Sequence, residues 1–477
     1  MRYSNQQLIK FILYVFVVLR ILTLVFHWPA FVGGDSISYR SLNPQPEELS
    51  YFKYWPETLW GGSFRSIFPV LFFHILPTDN IRFLGQSILF TISYFLFLNY
   101  MYKYLNTFLK SDYIKFSIII LLTTIGLSPQ VVSFEKLIYS ESTTLSLLFL
   151  LIVLFFKVKV DSKLNPKTFI FMNLLIFLIV TAKPNLILVA FFSYLFILKE
   201  LLEFRTIIRY FFVSFIFVNL LLTTFYLNLQ NKTWSQTINR QMTTISYYLS
   251  QDNINAASFI KVFNDSNKPE CLVDIEVPFE SGKQMFWGID LNRSQTCPAG
   301  QLWITKNWLN LIFEWQWLYP LEAVNTYRTA VISSSRFAQY FGTTSPVPMV
   351  LNSLVFPTVD STVAFWESYN TSGPSREPRN NYEPVYFYLA IILVLFVVNV
   401  KPGLSFISKS TTVKIALLFT LEFLSLFANI FLIVGPPGEV YRMSFIPWLM
   451  IRITSLVVLA FIIDAYFQKR KMINNAI

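Results

Sequence analysis

The sequence predicts an all-α, polytopic membrane protein of about ten transmembrane helices. Three observations carry that expectation. Hydrophobic residues make up 54% of the 477-residue chain and charged residues only 14%, against about 25% charged in a soluble domain. Mean hydropathy is +0.50, and the apolar residues gather in runs near the length that crosses a hydrocarbon core, roughly 20 residues. The 38 Lys and Arg against 27 Asp and Glu fall mostly in alternate connections between those runs. So few charges cannot cover a water-facing surface. That excludes a soluble globular protein, a disordered chain, a collagen-like fibre and a disulfide scaffold.

Taken in order, the expected spans lie near 8–27, 82–101, 115–131, 136–156, 168–183, 185–200, 206–228, 384–400, 413–434 and 444–466. The first resembles a cleavable signal peptide, but the run from Leu8 to Trp28 is too long and Arg20 interrupts it, so it reads as a retained span. The fifth and sixth are short and separated only by Lys183-Pro184; they form a tight hairpin or one broken element. Ten spans put both termini on one side. That side holds Arg2, Lys10, Lys103, Lys110, Lys115, Lys157, Lys159, Lys163, Lys167 and further basic residues to the C-terminal Lys469-Arg470-Lys471. Short hairpins on the other side hold only Lys136, Lys183 and Arg442. The bias of basic residues toward the cytoplasm therefore places both termini there. The net charge of +11 is then charge facing anionic headgroups, and no nucleic-acid partner is needed.

This reading divides the chain into three parts: a seven-span membrane module over 1–228 with a first outer loop at 28–81, an extracytoplasmic α-rich or mixed domain over 229–383, and a three-span membrane module over 384–477. The only two cysteines, Cys271 and Cys297, fall on the outer side, where a disulfide is expected. Sequons at Asn231, Asn264, Asn292 and Asn370 suggest exposed surface. Trp303, Trp308, Trp315 and Trp317 precede Tyr319-Pro320. They read as helices lying on the outer leaflet, with an aromatic domain core as the alternative.

Ionisable residues at spans are costly and usually functional. At outer span ends the sequence offers Asp35, Arg40, Arg65, His74, Glu135, Glu141, Lys183, Glu439 and Arg442, whereas Arg20 and Glu422 are the main midspan charges. A transporter needs polar groups at the midplane of several spans, so the pattern favours a site at the outer surface. There is no GxxxxGK[ST], GxGxxG, HExxH or CxxC string, and His27 and His74 are the only histidines, which excludes a His-rich metal site. One carboxylate after Gly33-Gly34, several basic groups and many aromatics suit general-base activation of a hydroxyl beside a phosphate leaving group, held by Arg and Lys.

These residues resemble a known pattern. Gly33-Gly34-Asp35-Ser36-Ile37-Ser38-Tyr39 is similar to the D-S/E-x-x-Y element of the GT-C superfamily of polytopic glycosyltransferases. Phe64-Arg65-Ser66-Ile67-Phe68-Pro69 is similar to its R-x-P-x-Y-P string, without the first proline and with Phe68 for tyrosine. Gln86 stands early in the second span, Glu135 with Tyr139-Ser140-Glu141-Ser142 resembles an E-x-x-x-S-E-S run, and Lys183-Pro184 stands where bacterial members often have Arg-Pro. Glu439-Val440-Tyr441-Arg442 and Pro447 resemble E-R-Y-x-x-P, with the arginine displaced. The central outer block aligns with no member.

The resemblance implies transfer of a sugar from a polyprenyl-phosphate donor to a glycan, lipid or protein acceptor, by inverting single displacement at the extracytoplasmic face of the cell membrane. Asp35 would be the general base. Arg65, Lys183 and Arg442 would bind the donor phosphate, with Tyr39, Glu141 and Glu439 lining the site, and no metal or other cofactor is expected. The other readings are a lipid or oligosaccharide transporter or flippase, and a polymerase or ligase of diphosphate-linked glycans.

Overall fold

A computed structural model describes residues 5–26, 67–136, 140–183, 186, 194, 197–203, 206–232, 241, 244–245, 247–251, 253–270, 272, 275–278, 298–335, 420, 422, 424 and 437–476. No β-strand occurs among them, and the long elements are α-helices. In chain order these are α1 (Asn5–Phe26), α2 (Ile67–Ile75), α3 (Asp79–Phe108), α4 (Asp112–Gly126), α5 (Pro129–Lys136), α6 (Ser140–Asp161), α7 (Pro166–Ala182), α8 (Leu198–Leu202), α9 (Thr206–Lys232), α10 (Ala256–Asp265), α11 (Pro298–Leu318), α12 (Pro320–Ser335) and α13 (Pro437–Ala476).

Local chemistry sets several boundaries. Thr78 caps α3, its hydroxyl accepting from the Ile81 amide at 3.3 Å, with Asp79 in the first turn; both satisfy the positive helix start. Asn165 caps α7 and Pro166 follows at its first position, where proline's missing N–H costs nothing. The start of α4 is capped from a distance: the Asp464 carboxylate of α13 accepts from the Lys110 and Ser111 amides at 3.1 and 2.8 Å.

Five stretches are long and apolar enough to cross a membrane: Asn5–Phe26, Asp79–Phe108, Asp112–Lys136, Ser140–Asp161 and Ser444–Gln468. They correspond to the first four expected spans and the last. Pro166–Ala182 and Phe212–Thr224 are shorter apolar helices at the fifth and seventh. The eighth span lies outside the described residues, as do nearly all of the ninth and much of the sixth. The third differs from expectation because it is broken. The chain turns at Leu127-Ser128 between α4 and α5, since Pro129 offers no N–H and disfavours helical backbone before it.

Aromatic contacts give the helix directions. Tyr94 and Phe97 of α3 pack on Phe149 of α6 at 4.7 and 4.8 Å, and Tyr104 packs on Phe156 at 4.8 Å. The numbers climb together, so α3 and α6 run parallel. The reverse trend holds against α4, where the Tyr94 hydroxyl donates to the Leu122 carbonyl and Tyr102 stacks on Phe116. Helix α13 runs beside them from Phe445 on Phe134 to Phe461 on Phe108. One end of the bundle therefore gathers Asn5, which donates to Asp112 at 2.7 Å, and the Lys115 and Lys159 ion pairs with Asp112 and Glu200. This basic end holds residues expected in the cytoplasm. The opposite end gathers the C-terminus of α1, the N-termini of α3 and α6, and the C-termini of α5 and α7.

A second core lies in the central block. Trp315 is fully buried among Tyr248 and Phe259, and its indole N–H donates to Ser258 at 2.9 Å. Trp303 and Trp308 pack partly buried against it, whereas Trp317 is 87% exposed. The expected outer-leaflet face thus does not include Trp315, two positions from Trp317 on the other side of α11. Tyr327 of α12 contacts both cores; its hydroxyl lies 3.1 Å from that of Tyr248. The Asn264 side chain is engaged with Ile275, accepting from its amide at 3.1 Å and donating to its carbonyl, so this sequon is tied into the fold rather than free at the surface. Cys271 and Cys297 lie outside the described residues.

Two predictions follow from packing and burial. A Cβ at Gly126 would approach Tyr94 Cε1 to 2.5 Å and Phe16 Cε2 to 3.0 Å. Gly126→Ala should cost about 1–3 kcal/mol by overpacking, read as a lower melting temperature in detergent. Burial pushes the Tyr248 phenol well up from its ordinary value, with Tyr327 adding to the shift, and burial raises Tyr327 itself. The folded state then keeps protons that the unfolded chain loses above about pH 10. Stability from this pair is complete below that pH and falls as pH rises beyond it. Trp315 fluorescence should report loosening of the central block there, and Tyr248→Phe should remove part of the pH dependence.

Candidate functional site

Helix α6 opens in a way unlike a lipid-facing span. Ser140, Glu141, Ser142, Thr143, Thr144 and Ser146 are all buried. Some hydroxyls satisfy themselves on the preceding turn, Thr143 on the Ser140 carbonyl at 3.1 Å and Ser146 on the Ser142 carbonyl at 2.9 Å, the usual local bond for such residues in a helix. Glu141 cannot. Its carboxylate meets Lys183 Nζ at 2.7 Å, with both residues buried. Lys183 is the C-cap of α7 and Glu141 stands in the first turn of α6. Each charge therefore also complements the dipole of its own helix terminus.

A second ion pair lies at the same end. Arg20, fully buried in α1, donates through Nη2 to Glu135 Oε2 of α5. Its Nε donates to Thr91 Oγ1 of α3 and its Nη1 to the Gly126 carbonyl of α4, each at 3.3 Å. The guanidinium also stands 5.0 Å from the Phe90 ring centroid, a favourable cation–π contact. Gln86 of α3 donates to the Glu135 backbone carbonyl. Arg20, expected as a midspan charge from its place in the first run, lies in the last two turns of α1 and is paired.

The structure pairs residues from three separate strings, Gln86 with Glu135 and Glu141 with Lys183. Glu141, expected from the resemblance to line the site, pairs with Lys183, expected to bind the donor phosphate. Asp35, Tyr39 and Arg65 lie outside the described residues. Glu439 and Arg442 fall in the first turns of α13, where side chains are outside the description. His74 ends α2 and is exposed, and it joins none of these contacts.

Other buried polar groups sit deeper. Glu422 is fully buried and accepts from the Thr454 hydroxyl of α13 at 2.7 Å. Arg452, 1% exposed on the same helix, was overlooked in the sequence, although a lone arginine inside an apolar run is the same signal that singled out Arg20. Asn173 accepts from the Tyr194 hydroxyl at 2.6 Å and from Asn219 at 3.2 Å, joining α7 to α9. Isolated amides in two apolar runs gave no sign of that pairing.

Comparison of the chain with protein families, curated proteins and solved structures returns no match.

Breaking a buried ion pair from one side costs about 3–5 kcal/mol, while replacing both partners by apolar or neutral groups is often near neutral. Lys183→Met alone should therefore destabilise strongly, and Glu141→Gln together with Lys183→Met should recover most of the loss. Thermal unfolding of the single and double variants in detergent checks this. Equal losses in single and double variants would show that the pair is not coupled.

Proposed function

We propose that the protein is a membrane glycosyltransferase of GT-C type, moving a sugar from a polyprenyl-phosphate donor to a hydroxyl acceptor at the opposite end of the bundle, which would face the extracytoplasmic side. One observation carries this reading. Gln86, Glu135, Glu141 and Lys183, which the resemblance draws from three strings, lie in two buried contacts at one end of an apolar bundle, Gln86 on the Glu135 carbonyl and Lys183 on Glu141. Asp35 follows Phe26, the last residue of α1, by nine positions, and Arg65 precedes the start of α2 by two. Both belong to the connection that leaves that end.

The chemistry is as follows. The acceptor oxygen attacks the anomeric carbon as the bond from that carbon to the donor phosphate oxygen breaks, which inverts the configuration. Asp35 takes the acceptor proton. Lys183, Arg65 and Arg442 hold the departing lipid phosphate, supplying positive charge where negative charge develops. Glu141 fixes the Lys183 ammonium, and Tyr39 and Glu439 complete the wall. The protein thereby does with basic side chains what a metal could do elsewhere.

Transport of a lipid-linked substrate is the second reading. Arg452 and the Glu422–Thr454 contact favour it, because Arg452 and Thr454 lie buried within the C-terminal span and Glu422 is buried against it.

The test offers the purified protein, in nanodiscs, a panel of radiolabelled polyprenyl-phosphate sugars with crude membrane extract as acceptor. Release of free polyprenyl phosphate is expected from one donor. Asp35→Asn should lower it by about 10²–10⁴-fold, the usual contribution of a general base, without loss of folding or donor binding. A fully active Asp35→Ala enzyme would overturn the mechanism, and translocation without bond cleavage would favour the transporter.

A further inference from the structure

We propose that the corner between α11 and α12 docks the central block on the bilayer, seating an apolar tip at the boundary between headgroups and acyl chains. This docking is independent of the transfer chemistry above.

The corner is an apolar surface that neither core uses. Trp317 is 87% exposed and Leu321 84%, and Phe313, Leu318 and Val324 are each more than half exposed. On α11, Phe313 and Trp317 stand one turn apart, on the side away from the buried Trp315. On α12, Leu321 and Val324 share one side, while Ala323, Thr326 and Ala330 are buried on the other. The chain bends between the two helices. The Gln316 amide donates to the Tyr327 hydroxyl, a contact across eleven residues that a continuous helix would hold roughly 16 Å apart. The exposed residues therefore form a tip. A contiguous aromatic and aliphatic surface of this kind marks an interaction site.

Two observations select lipid as its occupant. The first is continuity with the bundle. Helix α12 leaves the corner and packs along α13, which includes a stretch long and apolar enough to cross a membrane, Ser444–Gln468. Ala330 belongs to the bundle core, and Tyr327 and Val331 pack against it. Leu321 precedes Ala330 by only nine residues, about 14 Å of helix, so the tip is held beside the bundle. The second is charge. On the exposed side of α11 the residues behind Phe313 are Asn310 and Lys306, and on α12 the residue behind Val324 is Arg328, all exposed. Along the helices, Lys306 lies roughly 16 Å from Trp317 and Arg328 roughly 10 Å from Leu321. Interfacial helices bury their apolar side about 5–10 Å deep, which brings such basic groups toward lipid phosphates, and their long side chains reach the rest of the way. Glu314, exposed, and Glu322, half-buried, are the acidic residues of this stretch, and the two basic ones offset them. Tryptophan itself favours this boundary. The lipid-facing surface is thus a two-helix corner rather than a row of tryptophans, because Trp303, Trp308 and Trp315 pack in the block's own core.

The experiment places the wild-type protein in nanodiscs containing a phosphatidylcholine with a diazirine in its acyl chain near the glycerol. After irradiation, trypsin cleavage at Lys306 and Arg328 isolates residues 307–328 as one peptide. The expected result is lipid adducts on that peptide, mapping to Trp317, Leu318, Leu321 and Val324. Their yield should be comparable with that on the exposed Phe217 and Leu221 of α9, which serve as the internal standard. Trp317→Ser together with Leu321→Ser should lower the yield several-fold against that standard, with elution volume and melting temperature unchanged because both side chains are exposed. Labelled α9 with an unlabelled 307–328 peptide would overturn the proposal, since the corner would then face water. Crosslinks between two copies at the corner would also overturn it, making a second chain the occupant. So would a yield that the double substitution leaves unchanged. Sugar transfer plays no part in the readout, so its failure leaves this result standing.

Discussion

A charge inside an apolar bundle must be paired, hydrogen-bonded or neutralised, because an isolated ionised group costs many kcal/mol there. At one end of this bundle that constraint is met twice, by Arg20 with Glu135 and by Lys183 with Glu141. Each pair joins residues far apart in sequence, 115 and 42 positions, and each would become a liability if its helices separated. One contact ties α1 to α5 and the other ties α6 to α7. Apolar side chains tolerate sliding, whereas a buried ion pair does not.

The remainder of the bundle supports that end. Phenylalanine and tyrosine rings interleave along α3 and α6, and Gly126 lets Tyr94 and Phe16 close over α4. The same glycine offers its carbonyl to Arg20, so tight packing and polar satisfaction coincide at one residue. At the basic end Lys159 pairs with Glu200 at 2.6 Å, but one contact is weaker in kind. Lys115 pairs with Asp112 next to it on the same helix, and Asp112 is about half exposed, an arrangement that contributes little in water.

Much of this was legible from the residues. Hydropathy located the five long helices, the end of α7 was marked by Lys183-Pro184, and basic residues expected on one side do lie at one end. Pro129 advertised the break after Gly126, although the apolar run around it suggested continuity. What could not be read was partnership. Glu141 and Lys183 are 42 residues apart and Arg20 and Glu135 are 115 apart. Nothing in local pattern selects one basic residue over another at such separation. Trp315 and Trp317 were grouped because composition ignores facing; helical periodicity separates them. The proposed base Asp35, with Tyr39, Arg65 and the two cysteines, lies outside the described residues, so the site is read there from sequence alone.

The central proposal is that a lipid-linked sugar phosphate docks at the end of the bundle that holds the two ion pairs. The most direct measurement is photo-crosslinking in nanodiscs with a polyprenyl-phosphate sugar that carries a photoreactive group beside its phosphate, followed by peptide mapping. The expected result is label on peptides from residues 27–66 and from the neighbourhood of Glu141 and Lys183. Label confined to peptides bearing Glu422 or Arg452 would contradict it, because the substrate would then lie along the bundle interior.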